Sequence, residues 1–228
     1  MSQPDAPETP LEIELKLLVD GPEALARLAR AAEARGARAS EPVSQVNHFF
    51  DSEDGLLRRT DRTVRVRREG ERFRLTVKGA LSDAGGGDAA DLHTRPEVDV
   101  GLENERAEAV LRGELDPLAL LREVAGRSAL ADRVEADLAG APLCHSGSFR
   151  NERTRVGPLR VAGSELVLEL DRTSFPGDRL DCEVELELPA AAVEGGRALL
   201  AELFAEAGIE GRPAEGKAKR FFRALANG

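Results

Sequence analysis

Glu12-Ile13-Glu14-Leu15-Lys16 sets two carboxylates and one ammonium at alternate positions of a segment that reads as a β-strand. Side chains at i, i+2 and i+4 of a strand share one face. Ile13 and Leu15 therefore point one way, and Glu12, Glu14 and Lys16 the other. Like charges side by side repel unless a cation lies between them, and hard divalent cations such as Mg2+ and Mn2+ take oxygen ligands of this kind. Taken alone, the stretch is better explained as a half-exposed strand with a wet outer face. Its weight comes from recurrence. Val64 and Val66 alternate with Thr63, Arg65 and Arg67, and Phe73, Leu75 and Val77 with Arg72, Arg74, Thr76 and Lys78. Val98 and Val100 oppose Arg95, Glu97 and Asp99; Leu166, Leu168 and Leu170 oppose Glu165, Glu169 and Asp171; Val184, Leu186 and Leu188 oppose Glu183, Glu185 and Glu187. Ordinary outer faces mix Thr, Ser, Lys and Gln, whereas these gather acids on some strands and bases on others. Turned inward, such faces would line a charged tunnel, where each buried charge must be paired or coordinated. The pattern alone leaves closure of the sheet open.

Working outward, strands are expected at residues 12–19, 43–50, 62–68, 72–79 and 93–100, with a tight hairpin at Glu69-Gly70-Glu71. A helix over about 23–35 carries Leu25, Leu28, Ala29 and Ala32 on one side and ends at Gly36. Residues 51–59 read as a turn and edge segment and 83–91, with Gly85-Gly86-Gly87, as a flexible loop. Short helices are expected around 103–112 and 116–124. Further strands lie near 143–156, 164–175 and 179–188, with hairpin signals at Gly157-Pro158 and Pro176-Gly177, and helices over about 193–208 and 215–226 close the chain. No repeat of fixed period is present. Consecutive strands joined by hairpins make an antiparallel sheet, and around eight of them are enough to close a barrel. The class is α+β.

The 228 residues, 41% hydrophobic and 32% charged, have the composition of a soluble globular protein. Residues 1–10, with three prolines, read as a disordered tail before a single domain at 11–228. No apolar run is long enough to span a bilayer, and the first residues lack the apolar core of a signal peptide. Cys144 and Cys182 fit neither a zinc spacing nor a disulfide framework, which places the protein in a reducing cytoplasm. The net charge of −10 argues against nonspecific binding to nucleic acid or to an anionic membrane. Of 32 basic residues only Lys16, Lys78, Lys217 and Lys219 are lysine. A chain so biased toward arginine keeps lysine where a compact ammonium does what a guanidinium cannot.

Together these residues resemble the CYTH superfamily, the triphosphate tunnel metalloenzymes. Glu12-x-Glu14-x-Lys16 is similar to its signature strand. Asn47-His48-Phe49-Phe50-Asp51 with Leu57, then Arg65-Val66-Arg67, match its aromatic-Asp turn and arginine strand. Thr76-Val77-Lys78-Gly79, Arg95-Pro96-Glu97 and the stretch from Phe149 to Arg153 follow in the family's order. Glu169-Leu170-Asp171-Arg172-Thr173 and Glu183-Val184-Glu185-Leu186-Glu187 resemble its carboxylate strands, and Lys217 its C-terminal lysine. The likeness is greatest to the short tripolyphosphatase-like branch. A long loop at 82–92, and Ser52 where threonine is more usual, depart from the pattern without touching a charged position.

The resemblance implies an eight-stranded antiparallel β-barrel, the triphosphate tunnel, with helices packed outside. It implies a divalent-metal-dependent triphosphatase cleaving the terminal phosphoanhydride of inorganic tripolyphosphate or a similar triphosphate. Adenylate cyclase, thiamine triphosphatase and a non-hydrolytic polyphosphate-binding module are the alternatives. Lys16, Arg65, Arg67, Lys78, Arg153 and Lys217 would bind substrate, and Glu14, Lys16 and Lys78 would take part in catalysis. Glu12, Glu14, Glu183 and Glu185, with Glu97, Glu169, Asp171 and Glu187 as further ligands or supporting groups, would hold one or two Mg2+ or Mn2+ ions. The partner is a small triphosphate, with neither nucleic acid nor membrane, and the chain a monomer or homodimer. Three features stand outside this scheme. Gly211 to Lys217 approximates a P-loop but has Ala218 where Mg2+ needs Ser or Thr. His48, His93 and His145 have no ligand spacing and read as surface or packing residues. Lys219 and Arg220 read as a solvated helix face.

Overall fold

Strict alternation of apolar and ionisable residues yields strands, and in the computed structural model, which describes residues 9–81 and 90–227, most expected elements are present. In order they are β1 (Leu11–Val19), α1 (Pro22–Ala34), β2 (Arg38–Ala39), β3 (Val43–Asp51), α2 (Leu56–Arg59), β4 (Arg62–Glu69), β5 (Arg72–Gly79), β6 (Leu92–Leu102), α3 (Asn104–Leu111), α4 (Pro117–Ala125), α5 (Ala129–Leu138), β7 (Cys144–Val161), β8 (Ser164–Phe175), β9 (Arg179–Glu187), α6 (Val193–Ala207), β10 (Arg212–Pro213) and α7 (Lys217–Asn227). The strands pair in the order β10-β1-β6-β5-β4-β3-β7-β8-β9, and β9 pairs again with β1. Setting aside the two-residue strands β2 and β10, this order closes an eight-stranded antiparallel barrel, the α+β class expected. Most of the expected N-terminal tail (residues 1–8) and of the glycine-rich loop (83–89) lies outside the described residues.

Contacts divide the chain into two compact units. Of the described residues, one comprises 12–45, 90–94 and 149–227. Its core is built by the apolar faces of β1, β8 and β9, with Leu15, Leu168 and Leu186 fully buried against Leu28 of α1 and Leu203 of α6. Pro22 opens α1, where its missing N–H costs nothing, and Arg35 just past its end clasps Glu202 and Glu206 of α6. Of the described residues, the other unit comprises 9–11, 46–81 and 95–148. Here Val64, Val66, Leu75 and Val77 of the β4–β5 hairpin pack with Val110, Leu121, Leu130 and Val134 from α3, α4 and α5. The side chain of Arg62, on β4, is fully buried. It donates to the carbonyls of Thr60 and Ala80 and lies 2.8 Å from Asp137 of α5. Gly79 closes β5 at φ +154°, where a Cβ would come within 2.7 Å of Arg62 Cγ and 2.8 Å of the Asp61 carbonyl, so no other residue fits there.

Two expectations need correction. Gly157-Pro158 is no hairpin: β7 continues through it, and the register with β8 shifts between Val156 and Leu159. A proline that cannot donate to a ladder is tolerated at such an irregularity. The turn comes instead at Ala162-Gly163, both at positive φ. Helix α5 was not foreseen, although Ser128 caps it by accepting from Ala131 N, and Leu130, Val134 and Leu138 recur at helical spacing. Among the described residues no helix is long and apolar enough to cross a membrane.

Leu203→Ala should lower unfolding stability by about 2–5 kcal/mol in urea titrations, because the fully buried side chain leaves a cavity between α6 and the sheet.

Candidate functional site

Register lines up the charged faces in rows. In the first unit β1 pairs with β9 so that Lys16 lies opposite Glu185 and Glu14 opposite Glu187. β8 pairs with β9 so that Glu169 faces Glu185 and Asp171 faces Glu183, and β7 sets Arg153 beside Asp171 and Arg155 beside Glu169. Each of these residues differs from its strand neighbours by two, so all project from the face opposite the aliphatic core. That face is not wet. Glu14, Lys16, Arg153, Asp171, Glu183 and Glu185 are between 0% and 8% exposed, which rules out the solvent-facing reading.

Buried charge must find a partner, and here acids and bases alternate. Lys16 Nζ lies 2.8 Å from Glu14 Oε1 and 3.0 Å from Glu185 Oε1. Lys217, at the start of α7, lies 2.7 Å from Asp171, 2.9 Å from Glu183 and 2.7 Å from Glu185. Arg153 donates to Asp171 through Nε (2.7 Å) and Nη2 (2.5 Å) and to Glu185 at 2.6 Å, and also pairs with Glu169. Asn151 donates to Asp171 Oδ1 (2.9 Å) and Gln45 Oε1 (3.0 Å) and accepts from Thr173 Oγ1 (2.8 Å). The resulting network is stiff and almost fully satisfied.

The network sets the protonation states. Burial alone would raise the Glu185 carboxyl, but Lys16, Lys217 and Arg153 hold it well below its ordinary value. Asp171 is likewise lowered against burial by Lys217 and Arg153. Burial opposes the charge of Lys16 and Lys217, yet the surrounding carboxylates raise both, so both stay ammonium. Glu14 goes the other way. Burial pushes its carboxyl up, and although Lys16 opposes this, the charge of Glu185 adds to it.

In the second unit the register places Thr63, Lys78 and Glu97 in one row, Arg65, Thr76 and Asp99 in the next, and Arg67 opposite Arg74. Lys78 Nζ lies 3.5 Å from Glu97. Arg65 donates to Thr76 Oγ1 (3.1 Å), Thr76 donates to Asp99 (2.7 Å), and Arg67 donates to Asn47 Oδ1 (3.1 Å). All three bases are half-buried.

Within each unit, then, the structure gathers the expected residues: Glu14, Lys16, Arg153, Glu169, Asp171, Glu183, Glu185 and Lys217 in one, Arg65, Arg67, Lys78 and Glu97 in the other. Glu12 is half-buried on β1, and Glu187 is exposed at the end of β9. Arg220 is a correction. It is not on a solvated face but 2% exposed, reaching Glu183 (2.5 Å), Asp181 (3.0 Å) and the Glu215 carbonyl (2.9 Å). Its position three residues after Lys217 on an amphipathic helix was the available signal. Asn151 and Thr173 were also missed, though they share strand parity with Arg153 and Asp171. Lys217 turns its ammonium into the acids, unlike a P-loop lysine. Asp51 accepts from the backbone N–H groups of Ser52, Leu57 and Arg58 and so holds the turn into α2.

Among the described residues no three carboxylate, imidazole or thiol groups converge on one metal-sized point; the acids converge on ammonium nitrogens instead. The donor set nevertheless fits a hard divalent cation. It is all carboxylate oxygen, and Glu14, whose carboxyl is pushed up by burial and by the Glu185 charge, is a group that an added cation would favour in its ionised form.

A family model for the CYTH domain matches residues 10–222. Among solved structures, a Hippeastrum protein called an adenylyl cyclase and described as having a dominant triphosphatase activity is 23% identical. It aligns over 94% of this chain and 96% of its own with a TM-score of 0.72. A Bacillus halodurans protein described as an adenylate cyclase is 21% identical, with 93% and 98% covered and a TM-score of 0.62. A Pyrococcus horikoshii protein, PH1819, is 13% identical, with 92% and 98% covered and a TM-score of 0.58. At these identities the likeness is one of fold.

Arg220→Met should cost about 1.5–3 kcal/mol of stability in urea denaturation, because the buried Glu183 carboxylate loses a charge-assisted hydrogen bond and keeps Lys217 as its cation. Asp171 and Glu185 titrate below the ordinary range in the fold. Their stabilisation is therefore complete above about pH 4–5 and is lost as pH falls through their folded values. Wild-type urea midpoints should drop over that range, and Asp171→Asn, weaker at pH 7, should show a shallower drop.

Proposed function

The chain belongs to the CYTH domain family, and we propose that it is a divalent-metal-dependent triphosphatase acting on inorganic tripolyphosphate or a similar triphosphate. One observation carries the reading: a buried set of carboxylates and ammonium groups sharing partners, with Lys16 held between Glu14 and Glu185. A merely structural network would be served as well by fewer charges, since buried ion pairs are commonly no better for stability than apolar packing. Retaining this many suits a face whose acids and bases are meant to exchange partners.

A polyphosphate brings several negative charges, and the acid-bearing unit cannot neutralise them while its own bases serve its own acids. Mg2+ or Mn2+, one or two ions, would be held by Glu14, Glu183 and Glu185, with Glu12, Glu97, Glu169, Asp171 and Glu187 as further donors, and would supply charge neutralisation and a water of lowered pKa. With the acids so engaged, Arg153 and Lys217 would be free to bind phosphate oxygens. Arg65 and Arg67 bind such oxygens through forked hydrogen bonds, and Lys78 as a point charge. Lys16 holds its proton against burial, so it acts as a fixed positive charge beside the transferring phosphoryl group and not as a base. Glu14 keeps that ammonium in place at 2.8 Å. The Hippeastrum protein's described triphosphatase activity supports hydrolysis over cyclisation.

Incubation with tripolyphosphate, thiamine triphosphate and ATP, with and without Mg2+ or Mn2+, tests this. Metal-dependent orthophosphate release from tripolyphosphate is expected. Pyrophosphate with cyclic AMP from ATP would instead identify a cyclase, and tight binding without turnover a binding module. Glu14→Gln and Lys78→Ala should each lower kcat by about 10²–10³-fold with unchanged circular dichroism; wild-type rates in both would contradict the site assignment.

A further inference from the structure

His48 on β3 and His145 on β7 lie in the same unit, and neither takes part in the charged rows. His48 Nδ1 and His145 Nε2 are 3.2 Å apart, with ring centroids at 5.4 Å and planes inclined by 48°. Phe50 and His145 meet in a T-shaped arrangement, with centroids at 5.7 Å and planes inclined by 76°. Two nitrogens each about 2.0–2.1 Å from one zinc ion, at a near-tetrahedral angle, stand about 3.3 Å apart. The pair is thus already at chelating separation across two strands.

The geometry points to a surface site for a borderline transition-metal dication (Zn2+, Ni2+ or Cu2+), held by His48 Nδ1 and His145 Nε2. Imidazole selects such ions, whereas the carboxylate rows suit Mg2+ and Mn2+. The site is therefore chemically distinct from the one proposed above and does not rest on the triphosphatase reading.

Ligation needs neutral rings. Burial lowers the pKa of both histidines. His145 lowers His48 further, and Arg68 on β4 does the same, while Glu108 on α3 opposes. At neutral pH both rings are uncharged, and one donates its N–H to the other. On binding, the donor ring carries its proton on its other nitrogen, so both facing nitrogens present lone pairs and no proton is released. Among the described residues no third carboxylate, imidazole or thiol completes a cluster, so water fills the remaining positions and the affinity is modest.

The test uses tag-free full-length protein, stripped with chelator and titrated with Zn2+ by calorimetry in millimolar Mg2+, which competes for any oxygen-only sites. One Zn2+ equivalent should bind, and His48→Gln or His145→Gln should weaken it more than about tenfold, since even outer-shell partners cost about 10–100-fold. Glu185→Gln should leave this equivalent in place. The Cu2+-loaded protein should show the electron-spin hyperfine pattern of two nitrogens, falling to one in either variant. No Zn2+ uptake by wild type in Mg2+, or unchanged uptake by the double histidine variant, would overturn the site. Both rings are partly exposed, so thermal melts without added metal should match wild type and separate lost ligation from lost folding.

Discussion

A single ammonium shared by two buried carboxylates is the constraint on which the charged strand faces depend. Lys16 Nζ sits within 3.0 Å of both Glu14 and Glu185, and each of the three residues is at most 8% exposed. Removing Lys16 would take from two buried carboxylates the cation they share. Because Glu185 also meets Lys217 and Arg153, and Lys217 also meets Asp171 and Glu183, the compensation spreads through one connected lattice. The aliphatic core on the opposite faces and the lattice enforce the same register. A slip of one residue in β1 would carry Leu15 out of the core and Lys16 into it.

The lattice also explains why lysine and arginine are not mixed at random. At Lys16 and Lys217 a compact ammonium meets two or three carboxylates from different strands. At Arg153 and Arg220 a planar fork spans two neighbouring acids at once, Asp171 with Glu185 and Glu183 with Asp181. The second unit has a different balance. Its arginines Arg65 and Arg67 donate to the neutral oxygens of Thr76 and Asn47, and basic groups predominate on β4 and β5. One unit is self-neutralising and oxygen-rich while the other is basic.

Much of this was legible before any coordinates. Period-two alternation marked six of the eight long strands and separated their apolar from their ionisable faces, since the pleat leaves no other choice. The hairpins at Gly70 and Pro176-Gly177 followed from turn chemistry. Where reading failed, long-range context overrode a local signal. Gly157-Pro158 looked like a turn but is absorbed as a register shift within β7. Arg220 looked like a solvated helix residue, yet α7 turns it onto Glu183 and Asp181. His48 and His145, 97 residues apart, have no sequence relation that could announce their contact.

By itself the sequence determined which side chains share a strand face, that acids and bases are segregated among strands, and the family resemblance they carry in order. Those properties depend on spacing within a few residues, and backbone geometry converts spacing directly into direction. Only the tertiary structure decided that Glu14, Lys16, Arg153, Asp171, Glu183 and Glu185 are buried, that each of these four acids meets a named base, and that α7 supplies two of those bases. Burial and pairing depend on which distant segments meet, and a chain records that only through the summed packing of its whole core.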